Sequence, residues 1–508
     1  MQKGKHRAEY RLSALPFASW ECGAVLLLCI LAAAHIIVLS LAFPPANNVD
    51  EYLHFDLAIR YSHGEIPAQV YPVSDEAMSF VARYGTWEYT CAPAAFSGQK
   101  YPPPFWTLPP DKAAEMIAAT SVARQRPNYE NSQPPLYYLI AGFWWQMGHW
   151  LGLKMGDLYY WLRFLDVFIV VAVVVVAYVT ARFIFPENLF VRLGVPALIA
   201  LMPQSEFYSI DNDVLSPLCF GLTFFFLLKW WQTSSTASGI ALGLAFSATY
   251  LTKITNLPLL AIVGTAMVIK VVQSAREGKW ETVSPSLAGF LCCAVPPIAL
   301  WILWCKSRYG YTFGDLNILY SGWKIKPFGQ WWHHPIYSPS GLWTYLSGQL
   351  GTFWQGELWW HGQQRRLCLP GTDAIYAVLS LVFLLAAVPS VWSRDPNINS
   401  IRGPAFQISA ACVLAQLAFF AAMSVIYEFT PLSNPPSWHP FFREGRLLLG
   451  FLVPFLLLLV YGLDRLLNRF GTVAKLITLT VMISAMLTLE VATDWPVFFS
   501  QYNWFHMP

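Results

Sequence analysis

The stretch GAVLLLCILAAAHIIVLSLAFPPANNVDEYLHF (residues 23–55) runs apolar to Phe43, turns through two prolines and two asparagines, and then sets Asp50 beside Glu51. About 20 apolar residues is the length that crosses a bilayer as a helix. This run is long for a cleavable signal, and no small-residue cleavage site follows it. It therefore predicts a retained first span. Similar runs recur at about 161–183, 190–208, 213–231, 238–252, 255–273, 286–305, 372–392, 405–427, 446–463 and 475–493. The chain of 508 residues is 56% hydrophobic and 12% charged, about half the charge of an ordinary soluble domain. These features predict an all-α polytopic membrane protein with about 11 spans (11–13). A net charge of +3 gives no reason to expect a nucleic-acid partner.

The segment 136–152, LYYLIAGFWWQMGHWLG, is aromatic and short, and either spans or lies flat at the interface. Positive charge favours the flat reading. With the N-terminus (Lys3, Lys5, Arg7, Arg11) inside, fifteen of the 32 Lys and Arg fall in inside ends and short loops. If 136–152 crosses, eleven of those fifteen move outside. The expected organisation is a cytoplasmic N-terminus (1–22) and a membrane core (23–305) that includes a first extracytoplasmic loop, 44–160, with juxtamembrane helices. A second large extracytoplasmic loop (306–371) and C-terminal spans (372–508) follow. The expected location is the cell inner or plasma membrane, with any site on the extracytoplasmic face.

That face collects the candidate residues. Asp50 and Glu51 start an expected helix, 50–63, with Asn47 or Asn48 as its cap. On a helix Asp50 and His54 share a face. A carboxylate near a His and close to lipid is a candidate general base, since partial desolvation raises basicity. The plain alternative is two acids suited to a first helical turn. Gln133 and Pro134 open the segment NSQPPLYYLIAGFWW (131–145), which also reads as a bare surface helix. Arg163 sits just inside a span start, either as a snorkelling anchor or as a ligand to an anion. Glu206, Asp211 and Asp213 surround an outside turn, as helix caps or as oxygens for a hard cation. Lys253, Arg443 and Arg446 stand at outside span ends, where they snorkel or bind phosphate. The aromatic segments of 306–371 read as an interfacial belt or a sugar-stacking platform. His333, His334 and His361 have no metal-site spacing. Lone cations at three span ends, with acids on the same face, match what transfer from a lipid-phosphate donor needs.

The ordered segments PPANNVDEYLHFDLAIRYSHGEIP, QPPLYYLIA, WLRFLDVFIVVAVVVVAYVTARFIF, GIALGLAFSATYLTKITNLPLL, SRYGYTFGD, GTFWQGELWW and EGRLLLGFLVPF resemble the GT-C superfamily of integral-membrane glycosyltransferases. Within it, they are most like a broad bacterial group of mostly uncharacterised predicted enzymes, related to protein O-mannosyltransferases and aminoarabinose transferases. The resemblance covers most of 20–465. It implies a GT-C fold and inverting sugar transfer from a polyprenyl-phosphate sugar to an extracytoplasmic glycan, lipid or protein acceptor. It implies Asp50 as catalytic base with Glu51 beside it, and Lys253 and Arg446 on the donor phosphate. His54, Gln133, Arg163, Asp211, Asp213 and Arg443 complete the expected substrate-binding set. No metal ligand and no required cofactor are expected, and a divalent cation stays open. The usual Gly-Arg-Tyr reads Gly-Arg-Leu here (445–447), and Glu357 stands where glycine is usual. Cys91 and Cys368 are the cysteines of the two long loops, available to pair in an oxidising compartment. A secondary transporter or a non-catalytic lipid-carrier binder remains the alternative. The transporter lacks the internal repeats it would need.

Overall fold

A helix satisfies its own backbone hydrogen bonds, which is why apolar runs in lipid adopt it. A computed structural model describes residues 19–86, 88, 92–119, 127–154, 156–311, 323–360, 365–391, 401–429 and 439–506. Lys3, Lys5, Arg7, Arg11, Cys91, His361 and Arg394 lie outside the described residues. Helix α1 (Ser19–Ala42) is the first apolar run. The first loop holds α2 (Glu51–Ser62), α3 (Asp75–Tyr84), α4 (Pro110–Ala119) and α5 (Leu136–Trp150). Then come α6 (Gly156–Arg163), α7 (Leu165–Ile184), α8 (Leu189–Ala200), α9 (Ser216–Thr233), α10 (Thr236–Thr252), α11 (Leu257–Arg276) and α12 (Trp280–Tyr309). The second loop carries α13 (Pro339–Gln355). The chain closes with α14 (Thr372–Val391), α15 (Arg402–Ile426), α16 (Leu452–Leu466) and α17 (Gly471–Phe498). Two antiparallel two-residue ladders decorate the loops, Lys324–Ile325 with Tyr427–Glu428 and Trp359–Trp360 with Arg365–Arg366.

Among the described residues, nine helical stretches are long and apolar enough to cross a membrane. They comprise α1, α6 with α7, α9, α11, α12, α14, α15, α16 with its preceding turn, and α17. The protein is an all-α multi-pass membrane protein. Two expected spans are shorter than that measure. The run 190–208 is α-helical only to Ala200 and ends in a 3-10 turn, Ser205–Tyr208, because Met202 precedes Pro203 and a residue before proline is pushed out of the α region. Helix α10 has 17 residues.

Helix α16 is apolar and buried nearly all round, from Leu452 to Leu463, the signature of a central helix. It packs against α8, α9, α14 and α15. Helices α10 and α12 meet through GIALGLAF: a Cβ on Gly239 would lie 2.1 Å from the Ser286 carbonyl oxygen, and one on Gly243 2.5 Å from that of Phe290. Small residues permit that approach in lipid.

The segment 136–152 is not among the nine stretches long and apolar enough to cross. Glu51, just after α1, is bonded to Arg163, at the start of the following span, so both ends of the first loop lie on one face. Helix α5 packs along α2 and leaves Leu139, Phe143 and Trp150 exposed. The chain beyond α17 returns to the same face. Asn503 Nδ2 donates to the Ala42 carbonyl at 2.6 Å, and Trp504 Nε1 to Asp157 Oδ1 at 3.0 Å.

Candidate functional site

The site is built where six chain segments meet on the loop side of the bundle. Asp50 precedes α2 with φ 58°, a left-handed conformation that costs a non-glycine residue about 1–2 kcal/mol. Neither Asn47 nor Asn48 is the cap. Asp50 holds the cap position through its backbone, and its side chain makes no capping bond. That frees the carboxylate to turn into the cluster. Oδ1 accepts from the Tyr129 hydroxyl, and Oδ2 accepts from Arg446 Nη2 at 2.9 Å. Its side chain is 21% exposed, while those of His54, Asp211, Asp213 and Lys253 are at most 7% exposed. Burial first, then the nearby Asp50 charge, hold the Tyr129 phenol well above its usual range, so it remains a donor.

Arg446 is the hub. Its segment, Gly445–Phe451, is a 3-10 turn leading into α16. Nη2 reaches Asp50, Nη1 lies 3.2 Å from Asp211 Oδ2, and Nε lies 3.3 Å from Glu357. Glu357 follows Gly356, whose φ of 72° and crowding by Ser205 admit no side chain. Lys253 caps the end of α10 in extended backbone, with Nζ 2.5 Å from Asp213 Oδ2 and 3.9 Å from Asp211 Oδ1. His54 bridges Asp211 (Nε2 to Oδ2, 3.0 Å) and the Tyr138 hydroxyl (Nδ1, 2.7 Å).

Burial alone would raise the Asp211 carboxyl. Instead His54, Lys253 and Arg446 hold it well below the carboxylate range, so it stays ionised. Burial alone would lower the His54 imidazole, but the Asp211 charge and hydrogen bond outweigh it and the net direction is up. Lys253 follows the same pattern through Asp213 and Asp211. Two further acids go the other way. Burial is the largest cause raising both Glu130, which accepts from Gln133 Nε2 at 2.6 Å, and Glu206.

The raised Glu206 yields a signed prediction. A carboxyl whose folded value lies above the ordinary 4.5 weakens the fold as pH climbs from 4.5 toward that folded value. Glu206→Gln removes this penalty. The variant's gain in thermal midpoint should be absent below pH 4.5 and grow as pH rises, which unfolding scans across pH check.

The expected site residues divide into two groups. Asp50, His54, Asp211, Asp213, Lys253 and Arg446 are brought together, with Gln133 at the edge, where Asn212 Nδ2 reaches its Oε1 at 3.4 Å. Glu51 and Arg163 are placed apart, in a closed pair. Arg163 uses all five N–H donors. Nε and Nη2 grip Glu51 at 2.7 and 2.8 Å, and the other three bonds go to the carbonyls of Ser40, Phe43 and Pro44. Glu51 also accepts from the backbone N–H of Asn47, Asn48 and Ile210. This pair locks the exit of α1 to the entry of α6 and α7. Glu51→Gln strands a buried guanidinium, and should cost about 3–5 kcal/mol, read as a lowered thermal midpoint in detergent. Arg443 is also apart from the cluster: its side chain runs over Gly348 and its carbonyl accepts from Thr352.

Sequence reading did not select Tyr129, Glu130, Tyr138 or Glu357. Tyr129 and Glu130 lie just before NSQPP, so an acid beside that proline pair was the available signal. Among the described residues, no three His, Cys, Asp or Glu converge as metal ligands.

The sequence matches a family described as "Predicted membrane protein (DUF2142)" over residues 34–494. The chain belongs to that family. No curated protein matches it. Among solved structures, it is similar to the Archaeoglobus fulgidus oligosaccharyltransferase in complex with Zn and sulfate (12% identity, TM-score 0.40, 94% of this chain and 52% of that one). It is similar also to that archaeon's oligosaccharyltransferase AglB with an inhibitory peptide and a dolichol-phosphate (12% identity, TM-score 0.41, 96% and 55%). This DUF2142 chain thus spans about half the length of those two chains.

Proposed function

We propose that this protein is a membrane glycosyltransferase of GT-C type that takes a sugar from a polyprenyl-phosphate donor and passes it, with inversion, to an extracytoplasmic acceptor. The observation that carries this reading is the contact of Arg446 with Asp50 and Asp211, beside Lys253. Two cations for a phosphate and one partly exposed carboxylate for a hydroxyl proton thus share one cluster. The ordered motif resemblance points the same way.

In the proposed reaction the acceptor hydroxyl oxygen attacks the anomeric carbon and its proton passes to Asp50. The bond from that carbon to the phosphate oxygen breaks, and the electron pair leaves with the polyprenyl phosphate. A phosphate is a good leaving group, so the acid of a glycosidase pair is not needed. Arg446 and Lys253 stabilise the charge that develops on it. In the resting cluster Arg446 is held by Asp50. An arriving phosphate competes for that guanidinium and releases the base, coupling donor binding to activation. Glu51 and Arg163 serve in this reading as the frame of the site. With both cations supplied by side chains, transfer is expected to persist after chelation of divalent metal; loss of transfer in EDTA, restored by a divalent cation, would overturn that part.

The same contacts support a reading with eleven crossings, two more than the nine long apolar stretches. Asp211 lies beside Asp50, which favours a return of the chain through α8. Lys253 lies in the same cluster, which favours another through α10. The basic residues Arg192, Arg276 and Lys475 then fall at the opposite ends, consistent with an extracytoplasmic site. The test of the function is membranes containing the protein supplied with radiolabelled polyprenyl-phosphate sugars. Label moving from donor lipid to another glycan, lipid or protein supports the reading, and a donor pool that stays intact with every acceptor fraction unlabelled sinks it.

A further inference from the structure

A second polar cluster lies within the membrane-spanning part of the bundle, separate from the ion-pair network around Arg446. His35, seven residues before the end of α1, points Nε2 at Glu490 Oε2 of α17 across 2.9 Å. Asp494, one turn further along α17, is hydrogen-bonded to Tyr208, on the turn that also carries Glu206. At 1.5 Å per residue His35 and Glu490 sit roughly 10–12 Å below the helix ends, and Asp494 about 6 Å below, next to the turn of Tyr208. Tyr376 of α14 is buried beside Glu490 with its hydroxyl unpartnered. His35 Nδ1, Glu490 Oε1, Thr493 Oγ1 and Asp494 Oδ2 are buried and unpartnered as well.

We propose that His35, Glu490, Asp494 and Tyr208 form an intramembrane proton-binding site whose ligand is a proton held on one of the two carboxyls. A net charge inside a bilayer is costly, and the two carboxyls, four residues apart, share a helix face. Among the described residues no other cation is paired with them: α8, which packs on α17, carries Arg192, and Arg192 is paired with Glu21 at 3.1 Å. Arg469 and Lys475 belong to the other end of α17. Only two states are then neutral. A cationic His35 balances one carboxylate and the other carboxyl is protonated, or a neutral His35 faces two protonated carboxyls. Each state keeps a proton on Glu490 or Asp494. A helix-to-helix tie needs only the His35–Glu490 pair. Asp494, with its link to Tyr208 and so toward the Glu206 turn, is surplus to that role.

The inference does not depend on the transferase reading, and its test does not use transfer. Infrared spectra of the full-length protein in lipid vesicles report protonated carboxyls by their carbonyl stretch. Subtracting spectra of Glu490→Gln and Asp494→Asn from wild type at pH 7 should reveal one such band lost in at least one variant. If either variant fails to fold, wild-type vesicles are treated with dicyclohexylcarbodiimide. It enters lipid and adds across a protonated carboxyl to form a stable acylurea. Peptide mapping should then place the adduct on Glu490 or Asp494, with labelling falling about tenfold per pH unit once the proton is lost. Spectra identical in all three proteins, or adducts confined to other carboxyls, overturn the site.

Discussion

Asp50→Asn is expected to lower transfer about 10²–10⁴-fold, the range for removing a positioned general base, while the protein stays folded. Asparagine suits this position for a backbone reason: φ is 58° there, and Asn and Asp are the side chains that visit that region most readily. The amide keeps an oxygen for Tyr129 or Arg446, and Arg446 retains Asp211 and Glu357. The stability change should therefore stay near about 1 kcal/mol. Asp50→Ala is a poorer probe, because it adds backbone strain to the lost carboxylate. The check is initial transfer rate alongside thermal midpoint. A wild-type rate in Asp50→Asn removes the base assignment; a collapsed midpoint recasts Asp50 as structural.

Arg446→Ala is expected to cost both stability and transfer. It strips one cation from three carboxylates, Asp50, Asp211 and Glu357. Breaking buried ion pairs from one side costs about 3–5 kcal/mol, so the midpoint should fall. Transfer should fall at least about 10²–10³-fold, the effect of deleting one donor to a developing anion. Arg446→Lys separates the two effects. A single ammonium restores charge but cannot fork to three partners, so stability should recover further than transfer. Lys at 446 with full transfer would show that fork geometry is unimportant.

Much of the fold was legible because hydropathy over about 20 residues reports spanning directly. The end of α8 was not read correctly, since Met202-Pro203 breaks the helix inside an apolar run. The site was legible one residue at a time. Lys253 and Arg446 stood out as cations at span ends where the charge rule expects few, and Asp50 as an acid at a bilayer exit. Their pairing was beyond sequence reading, because Arg446 and Asp50 are 396 residues apart. Glu51 looked like a catalytic neighbour of Asp50 and Arg163 like a substrate group for the same reason: nothing local reveals that they pair across 112 positions. Glu357, a departure from the resembled pattern, gained a meaning only as a partner of Arg446.

The central claim is that Lys253 and Arg446 hold one lipid phosphate beside Asp50. A structure of the protein with polyprenyl phosphate bound tests it most directly. The account predicts phosphate oxygens about 2.7–2.9 Å from Arg446 and Lys253 nitrogens, with the Arg446–Asp50 contact of 2.9 Å opened. A phosphate more than about 10 Å from Lys253, roughly a Debye length, with the Arg446–Asp50 pair intact, would contradict it.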